Sequence, residues 1–263
     1  MKFSVNKIFT RLYYFLLKQR KLLILTLPDK NVIRMENPTS TTFFRYKTFF
    51  TKEPDTLAWL DTLTDSDVFF DVGANVGLYS LYAGISKNAE VYSFEPESQN
   101  FASLCRNINL NKVYKLIQPF CFAAHSSTTI SSLFLSSFTT GNALSSFSRD
   151  VDFQGNSYEV SFCQGSVGLS LDDFSHLSGI LPTFIKIDVD GNELFVVQGL
   201  QKLLARRTIK KLIVEVDELS PEYSATISLI TKHGYQLAGK YRSPLSTNSS
   251  AFSRSYNHHF ILS

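Results

Sequence analysis

Short apolar runs that stop on an acid, each followed by a turn and a stretch of helical spacing, recur along the middle of this chain. Val68, Phe69 and Phe70 run into Asp71 and then meet Gly73, Asn75 and Gly77, a pattern that predicts a buried strand entering a glycine-containing turn. Leu78, Leu81, Tyr82 and Ile85 recur at helical spacing, and residues 90–95 (EVYSFE) predict a second strand that ends on Glu95. Phe101, Leu104, Cys105 and Ile108 predict the next helix, and residues 115–124 a third strand. Residues 184–187 form a buried strand interrupted by Lys186 and ending at Asp188, with Gly191 marking a turn and residues 194–204 a helix. A further strand is expected over 212–216, a helix over 223–232, a strand after Gly234, and an edge strand over 258–262. Upstream, residues 41–50 look strand-like, and Asp55 is placed to cap a helix through Leu57, Trp59, Leu60 and Leu63. Strands alternating with helices in this way predict an α/β fold.

The acids are where the chemistry is expected. Ligands of open α/β sheets bind beyond the carboxyl ends of the strands, so Asp71, Glu95, Asp188 and Glu215 should converge on one rim. Four acids there are costly unless they hold cations, hydroxyls or a metal. Small residues in the first turn let the backbone approach a ligand, and an acid at the tip of the second strand accepts both hydroxyl hydrogens of a ribose, which makes Glu95 the candidate ribose ligand. The turn reads G-A-N-V-G and lacks the third glycine of the dinucleotide fingerprint, and Asp71 beside it repels phosphate but attracts an ammonium group. S-adenosylmethionine, a nucleoside at one end and an amino acid at the other, fits both acids. A nicotinamide-dependent oxidoreductase shares the β-turn-α-β unit and stays open as an alternative, as does a non-catalytic S-adenosylmethionine-binding subunit of a glycan assembly complex.

DVGANVG at 71–77, SFEP at 93–96, FIKIDVDGNE at 184–193 and LIVEVDE at 212–218, in that order, resemble the FkbM family of S-adenosylmethionine-dependent methyltransferases. The similarity runs from about Glu53 to about Gly239, with smaller echoes in GNALSS (141–146) and SLDDF (170–174); the family more often has glutamate where Asp190 stands. The resemblance implies a Rossmann-like class I methyltransferase fold, with a seven-stranded, mostly parallel sheet and helices on both faces. Residues 51–263 would form that domain, and 1–50 a basic extension with a lead-in strand. It implies a cofactor site of Asp71, Gly73, Asn75, Gly77 and Glu95, with Ala123 and Ala124 bordering the adenine, and Asn142, Ser145 and Ser146 on the acceptor side, where a plain turn is an equal reading. Methyl transfer needs an acceptor hydroxyl held in line and relieved of its proton. Asp188 is the first candidate for that role, with Glu193 and Glu215 behind it; a divalent metal on Asp188, Asp190 or Glu215 would instead lower the hydroxyl's pKa. By family analogy the acceptor is a sugar or glycan.

Charge refines this picture. The net charge is +3, yet residues 1–30 carry seven Lys or Arg against Asp29 alone, so the body is net negative, which argues against a nucleic-acid partner. The apolar blocks of residues 1–27 are too short to span a bilayer and lack a cleavage site, leaving either a basic amphipathic helix on an anionic membrane surface or a helix packed on the domain. Cys105, Cys121 and Cys163 show no metal-ligand spacing and are expected in the core of a cytoplasmic protein. Residues 126–148 hold thirteen Ser or Thr among twenty-three, but interspersed apolar residues predict strand and loop. Asp172 and Asp173 are expected to serve a helix start. His258 and His259, adjacent on a strand, must face opposite ways, so at most one reaches a site.

Overall fold

The computed structural model describes residues 22–150, 158–248 and 254–263. The elements run β1 (Leu23–Thr26), β2 (Val32–Met35), α1 (Ser40–Lys52), α2 (Pro54–Leu60), β3 (Val68–Val72), α3 (Leu78–Ser86), β4 (Glu90–Phe94), α4 (Ser98–Asn111), β5 (Ile117–Phe120), β6 (Ala123–Ala124), β7 (Thr129–Leu135) and β8 (Ser145–Phe147). They continue with β9 (Phe162–Leu169), α5 (Leu171–Ser178), β10 (Phe184–Ile187), α6 (Glu193–Gln198), α7 (Gln201–Arg206), β11 (Lys211–Asp217), α8 (Tyr223–Thr231), β12 (Tyr235–Tyr241) and β13 (Ser255–Leu262). Residues 1–21, most of the 1–27 stretch expected to be helical, lie outside the described residues, while the end of that stretch, Leu23–Thr26, is a strand paired with β2; no helix among those described is long and apolar enough to cross a membrane.

Seven strands form the main sheet in the order β12-β13-β11-β10-β3-β4-β5. Only β13 runs against its neighbours; the pairings β10/β11, β10/β3, β3/β4 and β4/β5 are parallel. Both faces are covered, and strand alternation divides the core between them. Phe69, Val91, Phe184 and Ile213 pack with Trp59, Leu81 and Leu104 on one side, while Phe70, Tyr92, Ile185 and Leu212 pack with Phe174, Val196, Leu203 and Ile230 on the other. Since β3 and β4 adjoin across a crossover and the chain then leaves for β10 on the far side of β3, the switch in strand order falls between β3 and β10, where a crevice opens. A smaller sheet, β6-β9-β7-β8, folds over that end around Leu133, Leu135 and Phe147.

Several elements differ from the sequence expectation. Residues 41–50 are helical: Thr39 and Thr42 form a reciprocal capping box, and Thr42 and Phe49, seven residues apart, share the buried face. The Thr, Phe and Tyr content that looked strand-like expresses a preference for half-buried surfaces more than a backbone rule. Helix α2 starts on Pro54, and Asp55 does not cap it; its carboxylate instead takes His259 Nε2 at 3.2 Å. The expected third strand divides, β5 pairing with β4 and β6 crossing into the second sheet. The expected single helix over 194–204 breaks at Gly199, where an added Cβ would sit 2.0 Å from the His125 carbonyl oxygen. Strand β13 lies inside the sheet, leaving β12 as the edge. The cysteines are not core residues: Cys105 is half-buried, and Cys121 and Cys163 are exposed. Asp172 and Asp173 lie in the first turn of α5 as expected, and the Asp172 carboxylate also accepts the Lys202 and Leu203 amides at the head of α7. His258 and His259 point apart as strand geometry requires, the first onto Tyr223 and the second onto Asp55, and neither lines the crevice.

Candidate active site

The crevice is a cavity of about 450 Å³, in the range of small-molecule sites. Its floor is the β3 turn. Gly73 and Ala74 donate their amides to the Phe94 carbonyl (2.9 and 3.0 Å), folding the turn over the end of β4. Gly73 has φ +82°, and a Cβ there would lie 1.8 Å from the Asp188 carbonyl oxygen, so only glycine lets β3 and β10 close up at this point. Asn75 (φ +52°) also lines the cavity. Gly77 does not: it starts α3 at φ +86°, and a Cβ there would strike Leu104 Cδ1 at 2.3 Å, so its constraint is helix packing.

Glu95 stands where β4 ends. One carboxylate oxygen accepts Asn75 N at 2.8 Å, the other Glu97 N at 2.9 Å. Burial pushes its pKa up to about 7, against those two backbone bonds and the nearby Arg45 charge. Ala123 and Ala124 line the wall beside it. The roof is the 140–146 turn: Gly141 N donates to Asn100 Oδ1 at 2.7 Å, and Asn75 and Asn100 both donate side-chain amides to the Asn142 carbonyl. Asn142 and Ser145 reach the cavity, whereas Ser146 is buried behind it, 3.0 Å from the Asn192 amide.

Asp71 is not on the rim. It is 1% exposed, accepts the Ser80 hydroxyl, and sits opposite Lys186 in the β3/β10 register. Alternation along β3 turns its side chain into the layer beneath the cavity floor, so it does not line the space where an ammonium group was expected. Glu193 also misses the cavity: it is 9% exposed, folds back to accept Gly191 N at 2.8 Å, and burial first of all pushes its pKa up to about 7. Asp190 does line it, accepting Leu144 N at 2.8 Å, with burial and the Asp188 charge raising its pKa to about 6.

The opposite wall carries a charge cluster that joins three distant segments. Carboxylate oxygens of Glu53, Asp188 and Glu215 all lie within 4.8 Å of one another. Lys186, 1% exposed, donates to Asp188 at 2.6 Å, and Lys52 to Glu53 at 2.6 Å. Burial disfavours the charge of Asp188 and Glu53, but the two ammonium groups outweigh it: Asp188 is held well below the usual carboxylate range and Glu53 at about 2. Glu215, half-buried beside two anions, is raised well above it, by desolvation first and then by the Asp188 and Glu53 charges. Two cations thus offset two of the three carboxylates, which leaves a place for one proton or a divalent cation at Glu215. Arg45 was missed because residues 41–50 look strand-like, and Lys52 and Glu53 because nothing in their own spacing marks them; positions 45 and 52, seven apart, share a face only when α1 is a helix.

This sheet order, with acids just beyond the ends of β4 and β10 and Glu215 within β11 lining the same cavity, defines a Rossmann-like methyltransferase fold. The sequence profile of the FkbM methyltransferase domain matches residues 71–237, and the chain belongs to that family. Among solved structures, the chain is similar to the methyltransferase FkbM from Methylobacillus flagellatus KT (18% identity, TM-score 0.50), over 76% of this chain but 44% of that one, so it spans less than half the length of that protein. It is also similar to a precorrin-6y C5,15-methyltransferase from Geobacter metallireducens GS-15 (12% identity, TM-score 0.45, 80% of this chain and 86% of that one) and to the B. subtilis M1A22 tRNA methyltransferase TrmK (12% identity, TM-score 0.44, 81% and 66%). No curated protein matches the sequence.

Proposed function

We propose that this chain is an S-adenosylmethionine-dependent O-methyltransferase whose acceptor is a hydroxyl group, carried by a sugar or glycan. The observation behind this reading is that Glu95 and Asp188, from strands separated in sequence by about half the domain, stand on two walls of one cavity floored by Gly73. The donor set suits the cofactor. Each Glu95 oxygen is fixed by one backbone amide and keeps acceptor capacity for a ribose hydroxyl. Asn75, Ala123 and Ala124 would border the nucleoside and Gly73 the sulfonium side. When bound, S-adenosylmethionine supplies an electrophilic methyl group.

The remaining work falls to the cluster. Asp188, kept anionic by Lys186, accepts the hydrogen of the incoming hydroxyl and aligns its lone pair. Once the oxygen had taken the methyl group, with S-adenosylhomocysteine as the leaving group, its proton would be acidic enough to pass even to a carboxylate held as firmly anionic as Asp188. Ser243, Ser246, Ser255 and Asn257 on the same cavity offer the hydrogen-bonding partners a polyhydroxylated acceptor requires. The test is transfer of a radiolabelled methyl group to a panel of sugars and glycans. Asp188→Asn is expected to bind S-adenosylhomocysteine as tightly as the parent and to lose transfer by at least roughly 100-fold. Transfer by Asp188→Asn at the parent rate would remove this assignment, and persistence of transfer in a chelator would dismiss a metal held by Glu53, Asp188 and Glu215.

A further inference from the structure

S-adenosylmethionine is a zwitterion at its amino-acid end, and its carboxylate has to be matched when it leaves water. The cavity walls are dominated by anions: Glu53, Glu95, Asp188, Asp190 and Glu215. Two of the three cations on those walls and beneath them are committed, Lys52 to Glu53 and Lys186 to Asp188, each at 2.6 Å. Arg45 is different. It lines the cavity from α1, and its Nε donates to the Gly141 carbonyl at 2.7 Å, which anchors the guanidinium at the junction of α1 and the roof turn. Among the described residues, no hydrogen bond or ion pair takes up its two terminal nitrogens.

That anchoring is rigid from both sides. Thr39 Oγ1 donates to the Thr140 carbonyl at 2.7 Å, and Gly141 packs so closely on Thr42 that an added Cβ would meet its Cγ2 at 2.8 Å. Gly141 N in turn is held by Asn100, next to the Glu95 wall. The guanidinium therefore presents a fixed pair of N–H donors to the same space in which Glu95 faces the nucleoside, the fork geometry that matches a carboxylate with two parallel bonds.

We propose that Arg45 is the anchor for the amino-acid carboxylate of the cofactor, and that the helix α1 thereby forms part of the cofactor site. This inference rests on the reading of the cavity as an S-adenosylmethionine site. Two probes separate the two ideas: S-adenosylhomocysteine, which carries the carboxylate, and 5′-methylthioadenosine, which keeps the nucleoside and thioether but lacks the amino-acid end. Calorimetric titration of the full chain with each is the experiment. Arg45→Gln is expected to weaken S-adenosylhomocysteine by roughly 10- to 100-fold while leaving 5′-methylthioadenosine within about twofold, and Arg45→Lys to recover part of the loss through its charge. Unchanged S-adenosylhomocysteine affinity in Arg45→Gln overturns the proposal. So does an equal loss for both probes, which would make Arg45 only the latch between α1 and the Gly141 turn. If the unsubstituted chain binds neither probe, the fault lies instead with the cofactor assignment.

Discussion

Replacing Lys186 by methionine keeps the apolar stem of the side chain and deletes its charge, in a place where the structure allows a magnitude to be worked out. The ammonium is 1% exposed, 2.6 Å from Asp188, opposite Asp71 across the strand pair, and 5.0 Å over the Tyr79 ring. Burial works against its charge, but Asp188, Glu53 and Asp71 together hold it protonated. Removing one partner of a buried pair costs roughly 3 to 5 kcal/mol because the other charge is left uncompensated. The Asp188 carboxylate is 25% exposed, so water recovers part of this and the expectation is about 3 kcal/mol at pH 7. With a urea m value of about 3 kcal/mol per M, the unfolding midpoint should fall by roughly 1 M. The pH dependence carries the sign. In the parent chain Asp188 has its pKa depressed below 3.8, so its contribution is present above that value and is lost only at lower pH. In Lys186→Met, burial without the cation raises the same pKa, a penalty that is full at neutral pH and relieved as the carboxyl protonates. The gap between the two proteins should therefore narrow as pH falls from 7 toward 4, and Lys186→Met combined with Asp188→Asn should recover much of the loss. A variant within about 0.5 kcal/mol of the parent at pH 7, or a gap that widens on acidification, would refute the account of the cluster.

Gly73→Ala forces a Cβ to 1.8 Å from the Asp188 carbonyl oxygen at φ +82°, so β3 and β10 must part by more than an ångström at the cavity floor. It should cost about 1 to 2 kcal/mol in backbone conformation before any clash is counted and weaken S-adenosylhomocysteine at least roughly tenfold; a variant matching the parent in urea unfolding and calorimetry would contradict that geometry. Because burial lifts Glu95 to about 7 and only its ionised form accepts hydrogens on both oxygens, S-adenosylhomocysteine affinity should be level above pH 8. Below pH 7 it should drop by up to about tenfold per unit, and Glu95→Gln, weak throughout, should show no such slope.

Much of the frame was legible in the residues. The apolar runs at 68–70, 90–94, 184–187 and 212–216 became β3, β4, β10 and β11, because buried parallel strands need side chains apolar on both faces and a sequence shows this without its partners. Gly73, the acid at 95 and the acid at 188 could be placed at strand ends for the same reason. Local pattern failed where a second segment decides. Whether Asp71 or its neighbour faces the cavity depends on the pleat of β3 against β10, a one-residue distinction that put Asp71 under the floor with Ser80 and Lys186. Glu193 turned back onto Gly191 through a bond made inside its own turn. Arg45 and Glu53 carry no local signature: Arg45 is an unremarkable charge in a helix set by the Thr39 cap and the burial of Phe49, Glu53 is the residue that closes that helix, and each acquires its meaning from groups more than ninety residues away. The chain by itself determined which strands are buried and where they end. Only the packed structure decided which charges meet, because charge pairing depends on distances that no spacing along the chain encodes.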